Sequence, residues 1–161
     1  MRTEFIEQVK EFMTKFKQPV IEKPAIPSKE RQDLRIKLLQ EELDELKQAI
    51  DDNDLIGVID AFCDLQYVLS GAIIEFGLSD MFLRCFNEVQ SSNMSKLAYS
   101  REEVDKTIEK YAKLGIETYG KLVILENNEK YFIIYRSSDN KVLKSINFVE
   151  PNFKHILNEY I

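Results

Sequence analysis

The sequence predicts a mainly α fold: a four-helix core carrying a small C-terminal β-hairpin appendage. Three observations lead there. Apolar residues recur at helical spacing through residues 3–97. Proline, glycine and capping residues fall between the stripes. After Gly115 the period shortens into β-branched and aromatic runs. With 161 residues, 44% apolar and 31% charged, the chain is long enough to bury a core and is unlike a disordered sequence. Residues 1–100 read as the helical core, 101–150 as a helix plus hairpin insertion and tail, and 151–161 as a closing helix, in one domain overall.

The first helix covers residues 3–17, where Phe5, Ile6, Val9, Phe12, Met13 and Phe16 line one face. Pro19, Pro24 and Pro27 end it and impose an extended connection. Ser28 is the expected N-cap of a second helix to about Ile50, with Leu34, Leu38, Leu39, Leu43, Leu46 and Ile50 as its buried stripe. Asp51-Asp52-Asn53-Asp54 reads as a turn and an N-cap. The third helix, about Leu55 to Phe76, is apolar around most of its circumference, which predicts burial on several sides. In so short a chain that predicts an interface with another copy. Gly77 stops it, and Ser79 is expected to cap a fourth helix through about Leu97. Ser100-Arg101-Glu102-Glu103 is a capping box for a short helix to about Lys113. Leu122–Leu125 and Tyr131–Tyr135 flank Asn127-Asn128 as a hairpin, a third extended piece follows at Lys141–Lys144, and the last helix spans Phe153–Tyr160.

Composition removes several functions. Lys plus Arg number 22 against 28 Asp plus Glu, a net charge of -6, the wrong balance for a DNA-binding protein. No uninterrupted apolar run approaches the ~18–20 residues of a membrane span, so no membrane partner is expected, and the expected location is the cytoplasm. Cys63 and Cys85 sit among apolar residues and read as small buried hydrophobes, without a disulfide framework. A single histidine, His155, excludes chemistry built on several. Any bound metal must be held by carboxylates.

The carboxylates are the sharpest feature. Glu41, Glu42 and Glu45 fall within an arc of about 100° on the second helix. Asp60 and Asp64 lie one turn apart on the third and interrupt an apolar surface. No basic residue stands at i+3 or i+4 from either; those positions are Cys63, Asp64, Tyr67 and Val68. Two carboxylates ~5 Å apart repel by roughly 3 kcal/mol at an effective dielectric of 20. Protonation or bound cations relieve such crowding. An acid-rich helix face is ordinarily a solvated one, and Lys37 to Glu41 is an ordinary surface spacing, but acids inside a buried helix are not. All-oxygen ligation by carboxylates suits Mg²⁺, with Mn²⁺ as the alternative, and Mg²⁺ takes phosphate oxygens as further ligands. A phosphorylated substrate follows.

The pattern resembles the all-α nucleoside triphosphate pyrophosphohydrolases, the MazG-like and phosphoribosyl-ATP-pyrophosphohydrolase-like group. Glu41, Glu42 and Glu45 match its Glu-Glu-x-x-Glu helix, and Asp64-Leu65-Gln66-Tyr67 matches the end of its second element. The family's second glutamate falls on Ala61 in one register and on Gly57 in the other, where Asp60 takes the place of the family aspartate. Phe86-Asn87-Glu88-Val89, Ser92-Asn93-Met94-Ser95-Lys96 and the stretch Lys141 to Phe148 resemble further signatures of one branch. The similarity covers roughly 28–97 and 138–157, with the hairpin between as an insertion.

The resemblance implies Mg²⁺-dependent hydrolysis of a nucleoside triphosphate, a deoxynucleotide such as dUTP among the candidates, between the α and β phosphates. Residues 1–100 would then be the catalytic core. Glu42, Glu45, Asp60 and Asp64 would hold metal, and Glu41 would orient or deprotonate the attacking water. Asn93 and Lys96, at i, i+3 on one face, together with Lys144, would contact the phosphates. Phe62 and Tyr67 are candidates for a base pocket, although aromatics at helical spacing ordinarily pack in a core. The family implies a homo-oligomer, a dimer or a tetramer. The competing expectation is a catalytically inactive helical module that binds a nucleotide or another protein. A third is a purely structural helical dimer.

Overall fold

The computed structural model describes residues 3–161. These contain helices α1 (Glu4–Lys15), α2 (Lys29–Asp51), α3 (Leu55–Glu75), α4 (Phe82–Met94), α5 (Arg101–Ala112) and α6 (Phe153–Leu157), with strands β1 (Thr118–Ile124) and β2 (Lys130–Arg136) between α5 and α6. The chain forms two compact units. One holds the sequence up to Cys85 together with Lys154–Ile161, and the other holds Phe86–Phe153.

In the first unit, α1 is capped by the Thr3 hydroxyl, which accepts from the Ile6 N–H at 3.4 Å. Its Ile6, Val9 and Met13 bury against Ile73 and Ile74 of α3, with Phe12, Val20, Leu78 and Phe82 packed around them. A tight turn at Asp52–Asp54 sends α3 back along α2, and the Asp54 carboxylate accepts from Ile56 N–H at 3.0 Å. Ser28 is extended but makes no side-chain cap bond. Nearby the Gln32 side-chain amide donates to the Pro27 carbonyl at 2.7 Å. Gly77 ends α3 at φ +69°, and a Cβ on it would fall 2.0 Å from the Lys23 carbonyl oxygen. The proline-rich connection is therefore laid against the end of α3, where the Ala25 N–H bonds the Phe76 carbonyl at 3.1 Å. Ser79 does not cap α4, which begins at Phe82; its hydroxyl is buried and has no hydrogen-bond partner. Near the C-terminus Ile156 is buried, and Arg84 grips Glu159 through two bonds of 2.7 and 2.9 Å.

The second unit is built on Ala98, Val104 and Ile134. Ser100 caps α5 through the Glu103 N–H at 3.2 Å, and the Glu103 carboxylate reaches back to the Tyr99 N–H at 2.6 Å. The strands pair antiparallel from Thr118↔Arg136 to Ile124↔Lys130, and Asn128 turns the hairpin at φ 64°. The third extended piece adds only the bridge Tyr135↔Val142. Beyond it the buried Ser145 hydroxyl lies 3.1 and 3.0 Å from the carbonyls of Ser95 and Leu97. The Ser95 hydroxyl accepts from the Val149 N–H at 2.9 Å. The Ser-Asn-x-Ser-Lys segment thus anchors the tail.

Two burial expectations are corrected, for the α2 stripe and for the cysteines. Of the α2 stripe only Leu46 is buried; Leu34, Leu43 and Ile50 are exposed. On α3 the single chain covers one side only: Ile56 is 80% exposed and Leu55, Ile59 and Phe62 also lie open, the apolar surface that the expected interface with another copy would use. Cys63 is exposed and Cys85 half-buried. By length and composition α3 does qualify as long and apolar enough to cross a membrane, since its only charged residues are Asp60, Asp64 and Glu75.

Candidate active site

Glu41, Glu42 and Glu45 project from α2, and Asp60 and Asp64 from α3, the two helices that pack along each other. Glu42 is half-buried; the other four are exposed. This corrects the expectation that Asp60 and Asp64 stand inside a buried surface. The carboxyl of Glu42 is held above the usual glutamate range by its burial, and next by the charges of Glu45, Asp64, Glu41 and Asp60. The other four acids therefore lie within electrostatic reach of Glu42. Glu41 also pairs with Lys37 at 3.3 Å across one helical turn.

As placed, no three His, Cys, Asp or Glu side chains among the described residues converge closely enough to grip an ion. The donor set nevertheless fits a hard divalent cation in kind. It is all carboxylate oxygen, and the negative charge around Glu42 is what a cation relieves. Closing on an ion takes rotation of exposed side chains, which exchange rotamers on picosecond to nanosecond scales. Neither position where the family carries its second glutamate offers a replacement. Ala61 is buried against the core, and at Gly57 a Cβ would already sit 2.8 Å from the Asp54 carboxylate.

Beside these acids lies a cavity of about 310 Å³, lined by Phe12, Arg35, Leu38, Glu42, Asp64 and Tyr67 among others. Tyr67 meets Phe12 edge-on with centroids 5.6 Å apart, and burial raises its phenol above the usual value. Phe62 is more than half exposed and lines a separate apolar cavity with Phe5 and Cys63. His155 is exposed on α6.

Sequence reasoning missed an ion cluster next to the acids. Glu75 is 1% exposed and takes hydrogen bonds from both Arg31 and Arg35, the latter 6% exposed. Burial pushes the Glu75 carboxyl up, but the two guanidinium bonds outweigh it and hold the group below the usual range. A signal was present: Glu75 breaks the apolar run Ile73-Ile74-Glu75-Phe76 as Asp60 and Asp64 break theirs.

Asn93, Lys96 and Lys144 belong to the second unit. There Lys96 donates to the Asn93 amide oxygen at 2.7 Å. Lys144 lies 4.1 Å from the centre of the Phe148 ring and 3.5 Å from Glu150.

An all-helical catalytic unit with acids paired across two long helices defines the all-α pyrophosphohydrolase class. The chain belongs to the phosphoribosyl-ATP pyrophosphohydrolase family, which its residues 9–93, just over half of the sequence, match. That is a family of hydrolases acting on acid anhydrides. The chain is also similar to uncharacterized protein L479 of Acanthamoeba polyphaga mimivirus, 37% identical over 86 residues. The matched stretch is 53% of this chain and spans about a third (33%) of that relative's length.

Proposed function

We propose that the protein hydrolyses a nucleoside triphosphate between its α and β phosphates, giving a nucleoside monophosphate and pyrophosphate, with Mg²⁺ as cofactor. The observation that carries this reading is the convergence of four carboxylate charges on Glu42. Glu42, Glu45, Asp60 and Asp64 would hold the metal. When bound, Mg²⁺ would neutralise phosphate oxygens. Glu41 would orient a water toward the α phosphorus and accept its proton, as the bond to the bridging oxygen breaks and pyrophosphate leaves. Lys96 and Lys144 have the proposed role of offsetting phosphate charge, and Asn93 that of a hydrogen-bonding contact to the phosphates. dUTP and dCTP are the first substrates to try. The bare apolar side of α3 supports a homo-oligomer.

Release of pyrophosphate from a nucleoside triphosphate panel, with and without Mg²⁺, tests the proposal. Turnover is expected only with the metal. Glu45→Gln is expected to abolish it and to leave the melting transition in place; a fully active Glu45→Gln overturns the site. The altered positions Ala61 and Gly57 favour one second reading, an inactive nucleotide-binding module. Nucleotide-dependent thermal stabilisation without pyrophosphate release would select it.

A further inference from the structure

The cavity beside the acids has two chemically different ends. Glu42 and Asp64 stand at one, Arg35 and Gly71 at the other. Arg35 precedes Glu42 by seven residues on α2, and Gly71 follows Asp64 by seven on α3, about 10 Å along each axis. Leu38 and Tyr67 fall between, with Phe12 against the Tyr67 ring.

Arg35 is withdrawn from water, yet its hydrogen bonding is incomplete. Its Nε donates to Glu75, and Nη2 has only the Met13 sulfur at 3.9 Å. Nη1 has no acceptor among the described residues. Gly71 leaves room for this nitrogen, because a Cβ there would sit 2.8 Å from it. Nη1 is not one of the sealed, unpartnered polar atoms, so it keeps access to the cavity that Arg35 lines, and an incoming acceptor would meet it there.

We infer that Arg35 is a specificity-determining residue. Its Nη1 donates to a carbonyl oxygen of the nucleobase, while the phosphates of the same nucleotide lie at the Glu42 and Asp64 end. The inference rests on the functional reading above. The aromatic stretch between the ends suits a base, which stacks on such rings, better than it suits a phosphate. Uracil, cytosine and guanine carry carbonyl oxygens, and adenine carries none. The site therefore selects carbonyl-bearing bases against adenine.

Titration calorimetry on the full chain tests this with UMP, CMP, GMP, AMP and inorganic pyrophosphate as probes. AMP is expected to bind about tenfold more weakly than the best of the others, the discrimination of one hydrogen bond to a charged donor. Arg35→Lys keeps a cation beside Glu75 but loses the planar fork. Gly71→Ala crowds Nη1 and keeps the guanidinium. Both variants are expected to bring AMP level with the other nucleotides and to leave pyrophosphate affinity unchanged, with melting curves verifying the fold. Equal binding of all four nucleotides by the parent protein, or discrimination retained in both variants, overturns the assignment alone. Loss of pyrophosphate affinity in both variants makes Arg35 a phosphate contact and also overturns it. A parent protein that binds no nucleotide overturns the functional reading and this assignment together.

Discussion

Glu42 holds its proton to higher pH than an isolated glutamate, because burial and four carboxylates all disfavour its anion. The folded pKa therefore lies above the unfolded one. In the metal-free protein the contribution of this group to stability is fully present below the unfolded value and is lost as pH rises through the folded value. Glu42→Gln is expected to stabilise the metal-free protein at neutral pH, by ~0.5 kcal/mol per like-charge pair relieved. The gain should vanish in acid, and Mg²⁺ should stabilise the parent protein but not the variant. Thermal melts across pH, with and without Mg²⁺, check all three outcomes. The acids themselves were legible because charge at helical spacing within an apolar surface is a local signal. Arg35 was not, since its meaning depends on Glu75, 40 residues away, and on a cavity that only the packed helices create.

Among elements, α3 depends on both of its ends. At its close, Glu75 neutralises two guanidinium groups. Removing it with Glu75→Ala leaves a buried charge uncompensated and is expected to cost about 3–5 kcal/mol in urea unfolding. Its folded pKa is depressed, so its contribution is present above the unfolded value and fades as pH falls through the folded one. Gly77→Ala should cost at least about 2 kcal/mol, because the new methyl meets the Lys23 carbonyl oxygen in a left-handed residue. Differential scanning calorimetry measures this loss. Helix bodies, the Asp54 cap, the Gly77 stop and the hairpin turn were legible, each resting on neighbouring residues. Ser28 was placed correctly at the N-cap but its hydroxyl makes no capping bond, and Ser79 was misjudged, since α4 begins at Phe82 and the Ser79 hydroxyl is buried instead.

For the whole molecule, the all-round apolar circumference of α3 was legible, but the side left bare by α1 and α2 was not. Ile56 and Ile59 lie on it near the start of the helix, 80% and 57% exposed. Changing both to Asp is expected to convert the proposed oligomer into a monomer by light scattering, with helicity unchanged by circular dichroism. A parent protein that is already monomeric at all concentrations removes the proposal. The division of the chain at Cys85 and Phe153 was not visible either, since the boundary falls inside α4 rather than in a linker.

The open flank of α3 and the acids Asp60 and Asp64 share one rigid rod. If self-association changes how that rod sits, thermodynamic reciprocity requires nucleotide to change self-association by the same factor. Apparent affinity would then vary with dilution of the protein, so binding constants for this chain are comparable only when its own concentration is stated.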